Sequence, residues 1–113
     1  MKTKLIKSLD KLWSLKVKER AEFKCEFCLE EGVWLNSAHI VGRRYRTLRW
    51  DIDNGMCLCY GCHRAYDEHQ PQAEQIRRIV IGEERLERLL AKKQVIAKNQ
   101  DYEEIKKALE SVK

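Results

Sequence analysis

The amino-acid sequence predicts an α+β fold: a small strand, loop, strand, helix core cross-linked by four cysteines, with an N-terminal helix before it and C-terminal helices after it. Three observations predict this. Two CxxC pairs, Cys25-Cys28 and Cys59-Cys62, bracket a central stretch that carries short β-prone runs. An apolar stripe with three- and four-residue spacing runs through residues 3–20, and helical periodicity returns after Pro71. With 113 residues the chain suits one domain with a modest core and is too short for two. Residues 1–20 are read as its N-terminal helix, 21–70 as the cysteine-bound core and 71–113 as a C-terminal helical region.

In the first element Leu5, Leu9 and Leu12, with Ile6, Trp13 and Val17, form the apolar stripe, and Leu15 falls at its edge. Lys4, Lys7, Lys11 and Lys18 gather opposite, while Lys16 lies on the apolar side and must reach outward along its stem. Beyond the first CxxC knuckle, Glu30-Glu31-Gly32 reads as a turn. Val33-Trp34-Leu35 and Ala38-His39-Ile40-Val41 then suit two short strand-like pieces. After a turn over Asp51 to Asn54, Gly55-Met56-Cys57-Leu58 suits another strand. Cys59 to His69 suits a helix carrying Cys62 and His63. Pro71 favours a first helical turn, helical stretches follow around 72–80 and 83–97 with a break near Gly82, and Asp101 and Glu104 have capping-box spacing before a last helix.

The net charge of +5 is uneven. Residues 1–20 carry +5, residues 21–70 carry −2 and residues 71–113 carry +2. Within the acidic middle, Arg43, Arg44, Arg46 and Arg49 crowd seven positions with no acid before Asp51, interleaved with Tyr45, Leu48 and Trp50. Such a patch is either a solvated loop or a set of guanidinium groups for phosphates on an apolar anchor. No run is long enough to span a membrane, and lysines interrupt any leader-like start, so a cytoplasmic, reducing setting is expected. There, paired CxxC motifs and an odd total of five cysteines favour metal ligation over disulfides. Four thiolates saturate tetrahedral Zn²⁺, so Cys25, Cys28, Cys59 and Cys62 are assigned one closed structural site, and Cys57 is read as a buried strand residue.

Taken in order, Cys25-x2-Cys28, Ala38-His39-Ile40, Asn54 and Cys59-x2-Cys62-His63 resemble the zinc-bearing branch of the HNH, or ββα-metal, endonucleases over roughly residues 20–70. The runs Leu35 to Arg44 and Arg49-Trp50-Asp51-x2-Asn54 resemble phage recombination-associated HNH proteins in particular. The resemblance implies a ββα-metal core, a metal-dependent hydrolysis of DNA phosphodiester bonds, and 5′-phosphate and 3′-hydroxyl products. It implies His39 as the general base that takes a proton from water. It implies Asn54 as the residue that orients the loop and base by hydrogen bonding, although Asn before Gly is equally a turn signal. His63 is implied as a ligand for a catalytic Mg²⁺ or Mn²⁺ ion.

The sequence departs from the family pattern at Ala38, where many members place an aspartate or histidine as a further ligand. Asp67, four residues beyond His63 on one helical face, is either its substitute or half of a solvated Asp67-Glu68 pair. His69 is a further candidate if the helix ends before it. The expected partner is DNA, double-stranded or branched, contacted by Arg43, Arg44, Arg46 and Arg49, with no membrane involved. A homodimer or a phage or recombination protein is a further expected partner. Two rival readings stay open: a zinc-stabilised nucleic-acid-binding module without catalysis, and a recombination or packaging adaptor.

Overall fold

The computed structural model describes residues 2–42, 45–93 and 101–112, with the side chains of Lys2 and Arg46 outside the description. Helix α1 runs from Lys2 to Arg20. Leu9, Trp13 and Val17, one turn apart, are almost completely buried and face the central sheet, while Leu15 stays exposed. Lys16 reaches a main-chain carbonyl rather than water alone, since its Nζ donates to Val112 O at 3.1 Å, just past the end of the last helix. The helix ends in a turn in which Phe23 N–H returns to Lys18 O and both Glu22 and Phe23 take φ of 56°. The first CxxC knuckle follows, closed by an isolated bridge between Lys24 and Glu31.

The sheet has two antiparallel strands, β1 (Leu35–His39) and β2 (Gly55–Cys59), paired from Leu35 opposite Cys59 to His39 opposite Gly55. The two strand-like pieces expected around Asn36-Ser37 are thus one strand. The polar break is absorbed by α1, where Ser37 Oγ donates to Ser14 O at 2.8 Å and Ser14 Oγ donates to Ser37 Oγ at 2.9 Å. Val33 and Trp34 lie outside the strand and are exposed. Alternation then divides the sheet. Ala38 and Met56, directly opposed, join Leu58, Ile76 and Ile81 in one buried cluster, whereas Cys57 joins Leu9, Trp13, Val17, Trp50 and Leu109 in another.

Between the strands the chain forms a short helical turn α2 (Arg46–Arg49), anchored by Leu48 and Trp50, and a 3₁₀ turn over Ile52–Asn54. Helix α3 (Tyr60–Asp67) starts at once after β2, its N-terminus capped by the Cys59 sulfur accepting from Cys62 N–H. A Schellman arrangement ends it, with His69 N–H bonded to Tyr66 O and Gln70 N–H to Ala65 O. Helix α4 (Pro71–Ile76) widens into a π-helical turn over Arg77–Ile81, and Gly82, at φ 81°, separates it from α5 (Glu83–Lys93). Helix α6 (Tyr102–Glu110) is capped by the Asp101 carboxylate, which accepts from the N–H groups of Glu103 and Glu104, and packs on α1. The residues expected to extend the fifth helix to 97 lie outside the described residues. No helix among the described residues is long and apolar enough to cross a membrane.

Asn54-Gly55 is not a hairpin turn. Gly55 is ordinary extended backbone at φ −122°, and its role is steric: an added Cβ would lie 2.5 Å from Val17 Cγ2 and 2.6 Å from Trp13 Cζ2. The glycine lets α1 lie directly on the sheet. Gly55→Ala is therefore expected to cost about 1–3 kcal/mol, the usual range for overpacking a filled core. Thermal unfolding measures the loss and tryptophan fluorescence reports the displaced Trp13; an unchanged midpoint would contradict the close approach.

Candidate active site and metal centre

Two neighbouring constellations occupy the core. In the first, the Sγ atoms of Cys25, Cys28, Cys59 and Cys62 all lie within 4.8 Å of one another, and Cys28 and Cys59 are 3.7 Å apart. Tetrahedral zinc with bonds of about 2.3 Å requires sulfur separations near 3.8 Å, so the donor set fits that ion. Each knuckle is preformed by the same local bond: Cys28 N–H points to Cys25 Sγ and Cys62 N–H to Cys59 Sγ, both at 3.5 Å.

The electrostatics favour a cation there. Burial acts to raise the Cys25 thiol, but backbone N–H groups of Cys28, Cys59 and Phe27 outweigh it and bring the pKa down to about 7. Cys28 and Cys62 are pushed upward, first by burial and then by neighbouring cysteines. The Cys25 thiolate forms readily while Cys28 and Cys62 resist, which is the imbalance a divalent cation removes. Cys57 is different. It is fully buried on the α1 side, and burial, with Glu26 and Cys25 nearby, drives its pKa up to about 11.

In the second constellation, His39 ends β1 on the sheet face that meets α1. Its ring stacks on Trp13 with centroids 4.0 Å apart and planes 6° from parallel. Its Nε2 lies 3.0 Å from Arg49 O. A carbonyl only accepts, so Nε2 carries the hydrogen and Nδ1 is the basic nitrogen of the neutral ring. Asn54 is fully buried behind this loop. Its Oδ1 accepts from Val41 N–H at 2.8 Å, and its Nδ2 donates to Val41 O at 2.9 Å and Leu48 O at 3.0 Å, while Ile40 N–H reaches Asn54 O at 2.9 Å. Val41 and Leu48 are thereby held to one side chain.

His63 and Asp67 share a face of α3, with Nε2 and Oδ2 3.3 Å apart. That is close to the roughly 3 Å between adjacent ligands of an octahedral cation with bonds near 2.1 Å, so the pair fits two positions of a Mg²⁺ or Mn²⁺ shell. Ala38 is 4% exposed and packed among Met56, Leu58 and Cys59, so it contributes core rather than a ligand. Among the described residues, the four cysteines are the one group of three or more cysteine, histidine or carboxylate ligand atoms brought this close together. His39 and Asp67 instead line a common cleft of about 620 Å³.

His69, a candidate from the sequence, lines the cleft from the end of α3, at φ 52°, whereas Glu74 and Arg77, which line it from α4 and the π turn, carry no such signal. Helix α3 does end before His69, the condition under which that residue becomes a candidate. Arg77 is exposed and makes no ion pair with another described residue; one arginine of the adjacent Arg77-Arg78 pair on a helical stretch carries no signal of its place. Trp13 and the Arg49 carbonyl are likewise invisible to motif reading, one being a stripe residue and the other main chain. Of the arginines read as phosphate contacts, Arg43 and Arg44 lie outside the described residues, as does the Arg46 side chain. Arg49 is engaged within the fold, its Nε and Nη2 forking onto the Asp10 carboxylate at 3.0 and 2.7 Å.

Residues 24–70 match the family model described as HNH endonuclease. No curated protein and no solved structure is significantly similar to the chain. The matched segment holds all four clustered cysteines, His39, Asn54 and His63, and its small antiparallel sheet leads straight into α3. Residues 24–70 are thus an HNH endonuclease-family segment with the ββα-metal fold and a four-cysteine, zinc-type metal site.

Proposed function

We propose that the protein is a metal-dependent endonuclease that hydrolyses DNA phosphodiester bonds in the cleft between His39 and Asp67. The observation that supports this reading is the geometry at His39: its Nε2–H donates to the Arg49 carbonyl, and the nitrogen of the neutral ring that takes up a proton is then Nδ1. Nδ1 takes a proton from water as the water oxygen bonds to phosphorus. The bond from phosphorus to the 3′ oxygen breaks, giving a 5′-phosphate and, once the leaving oxygen is protonated, a 3′-hydroxyl. His63 and Asp67 would hold the divalent cation, Mg²⁺ or Mn²⁺, which would supply stabilisation of the added phosphate charge and of the leaving oxygen. Asn54 keeps the base in register, and the Zn²⁺ of the four cysteines has a closed shell and no chemical part.

Arg43, Arg44 and Arg46, read from the sequence, supply phosphate contacts, and Arg77, which lines the cleft, supplies another. These contacts bind backbone and carry no base sequence, so the substrate is recognised as a DNA duplex or branched structure rather than as a long specific site.

The test is conversion of supercoiled plasmid to nicked circles by the full chain with Mg²⁺ or Mn²⁺. His39→Ala is expected to lower the rate by about 10²–10⁴-fold, the usual share of a positioned general base. Omitting the divalent cation should stop cutting, and His63→Ala should impair it while zinc content is retained. Cutting at the wild-type rate by His39→Ala would reject the mechanism. Salt-sensitive DNA binding with no cutting by the wild type would favour the non-catalytic zinc module, which the buried Ala38 keeps in play.

A further inference from the structure

Helix α1 reads from sequence as a packing element with a lysine face, yet its contacts converge on the base histidine. Among its contacts with described residues, the Asp10 carboxylate accepts two hydrogen bonds from the Arg49 guanidinium, at 3.0 and 2.7 Å, and one from Trp50 Nε1–H at 2.9 Å. One turn along α1, Trp13 donates its Nε1–H to Asp51 O at 2.9 Å. Residues 49, 50 and 51 are therefore each tied to α1, and the first of them offers the carbonyl that takes His39 Nε2–H. The Trp13 ring also covers one face of the His39 ring.

We propose that Asp10 and Trp13 form an α1 clamp that positions the His39 imidazole, with Asp10 acting through the Arg49 backbone and Trp13 by direct stacking. The inference rests on His39 as the base, and it assigns α1 a part in the site that lies outside the matched segment. Its logic is conformational. An imidazole has two tautomers and can turn over about its ring bond, and either change removes Nδ1 from its role as acceptor. A turned ring gives up the Nε2–H bond to Arg49 O. That bond holds the ring only as firmly as the carbonyl itself is held. Asp10 supplies that hold, because a bidentate carboxylate–guanidinium fork fixes Arg49 in direction as well as distance. Trp13 opposes tilting of the ring, and its π face favours the imidazolium that forms when the proton is taken.

The clamp also explains features that otherwise have separate causes. Gly55 makes room for the Trp13 ring opposite His39 in the sheet register. Leu9 and Val17, buried on either side of Asp10 and Trp13, seat α1 so that both clamp residues face the loop. The hydrogen bonds to Asp10 push the Arg49 guanidinium pKa further up, so its side of the fork stays charged.

The experiment uses the zinc-loaded full chain and has two readouts. Long-range proton–nitrogen NMR of the imidazoles reports the tautomer of His39 without requiring catalysis. Plasmid nicking as a function of pH reports the base. In wild type, His39 should be predominantly Nε2-protonated. Asp10→Asn should raise the population of the other tautomer several-fold and lower kcat about tenfold with KM unchanged, at unaltered zinc content. Trp13→Phe, which keeps an aromatic face but loses the bond to Asp51, should give a smaller fall of the same kind and serves if Asp10→Asn folds poorly. An unchanged tautomer and pH profile in both variants would overturn the clamp. If the wild type does not cut DNA but Asp10→Asn still shifts the tautomer, the clamp stands and the nuclease reading falls.

Discussion

Cys25→Ser is expected to release the zinc and to remove most of the protein's thermal stability. Cys25 is fully buried in the core beside Phe27, and polar groups also bind its knuckle to the rest of the fold. These are Glu26, whose N–H reaches Cys57 O at 2.8 Å and whose carboxylate receives Cys57 N–H at 2.6 Å, and the Arg20 guanidinium 3.6 Å from that carboxylate. A serine hydroxyl is a poor zinc ligand and does not ionise near neutral pH, so the site is left with three thiolates. Structural zinc contributes about 10–16 kcal/mol in small metal-folded domains, as much as the whole stability of an ordinary domain at about 5–15 kcal/mol. Losing even a third of it should lower the unfolding midpoint by some 15 °C or more, at about 4 °C per kcal/mol for this size. Metal analysis and circular dichroism on heating check both halves. Cys57→Ser is the internal control: it should keep one equivalent of zinc and lose only about 1–3 kcal/mol, the penalty for burying a hydroxyl on the apolar α1 side. Retention of a full equivalent of zinc by Cys25→Ser would refute the four-cysteine assignment.

The contrast between Cys25 and Cys57 shows what could be read from the sequence. Ligand spacing is local information, and two CxxC pairs carry it without reference to the rest of the fold. The α1 stripe and the Asp101 cap are local in the same sense, and both occur where periodicity and capping chemistry place them. What failed to read through was residue roles set by distant neighbours. Asn54-Gly55 carries a hairpin signal, but tertiary packing overrides it: the asparagine is buried in a loop closure and the glycine clears space for a tryptophan 42 positions earlier. Asp10 is one of two acids on a basic helix, and nothing near it in sequence marks it as the partner of an arginine 39 positions away. The arginine-rich loop looks uniformly suited to phosphates, and only the fold shows that Arg49 is drawn inward by Asp10. The π turn at Arg77 is invisible for a different reason, because a one-residue widening of a helix leaves the apolar pattern almost intact.

Asn54→Asp is expected to be the most damaging conservative change in the central loop, with a dependence on pH that a structural cavity would not produce. The side chain is fully buried, and the substitution keeps its shape. It also replaces an NH₂ that donates to two carbonyls, Val41 O and Leu48 O, by an oxygen that faces both. Each orphaned buried acceptor costs about 1–3 kcal/mol, and the charged form adds repulsion, so a loss of roughly 3–5 kcal/mol is expected near pH 8. The introduced carboxyl would escape by protonating, which raises its folded pKa above the unfolded value of about 3.9. A raised acid is penalised as pH climbs from the unfolded pKa through the folded one, so the deficit against wild type should be smaller at pH 5.5 than at pH 8. Asn54→Ala also leaves partners unmet but introduces no titrating group, so its deficit should be nearly the same at both pH values. Thermal unfolding at the two pH values separates these cases, and equal deficits for Asn54→Asp would contradict the bonding pattern. Activity should fall in both variants beyond the loss of folded protein. Leu48 O, held by Asn54, immediately precedes the residue whose carbonyl holds His39, so releasing one loosens the other.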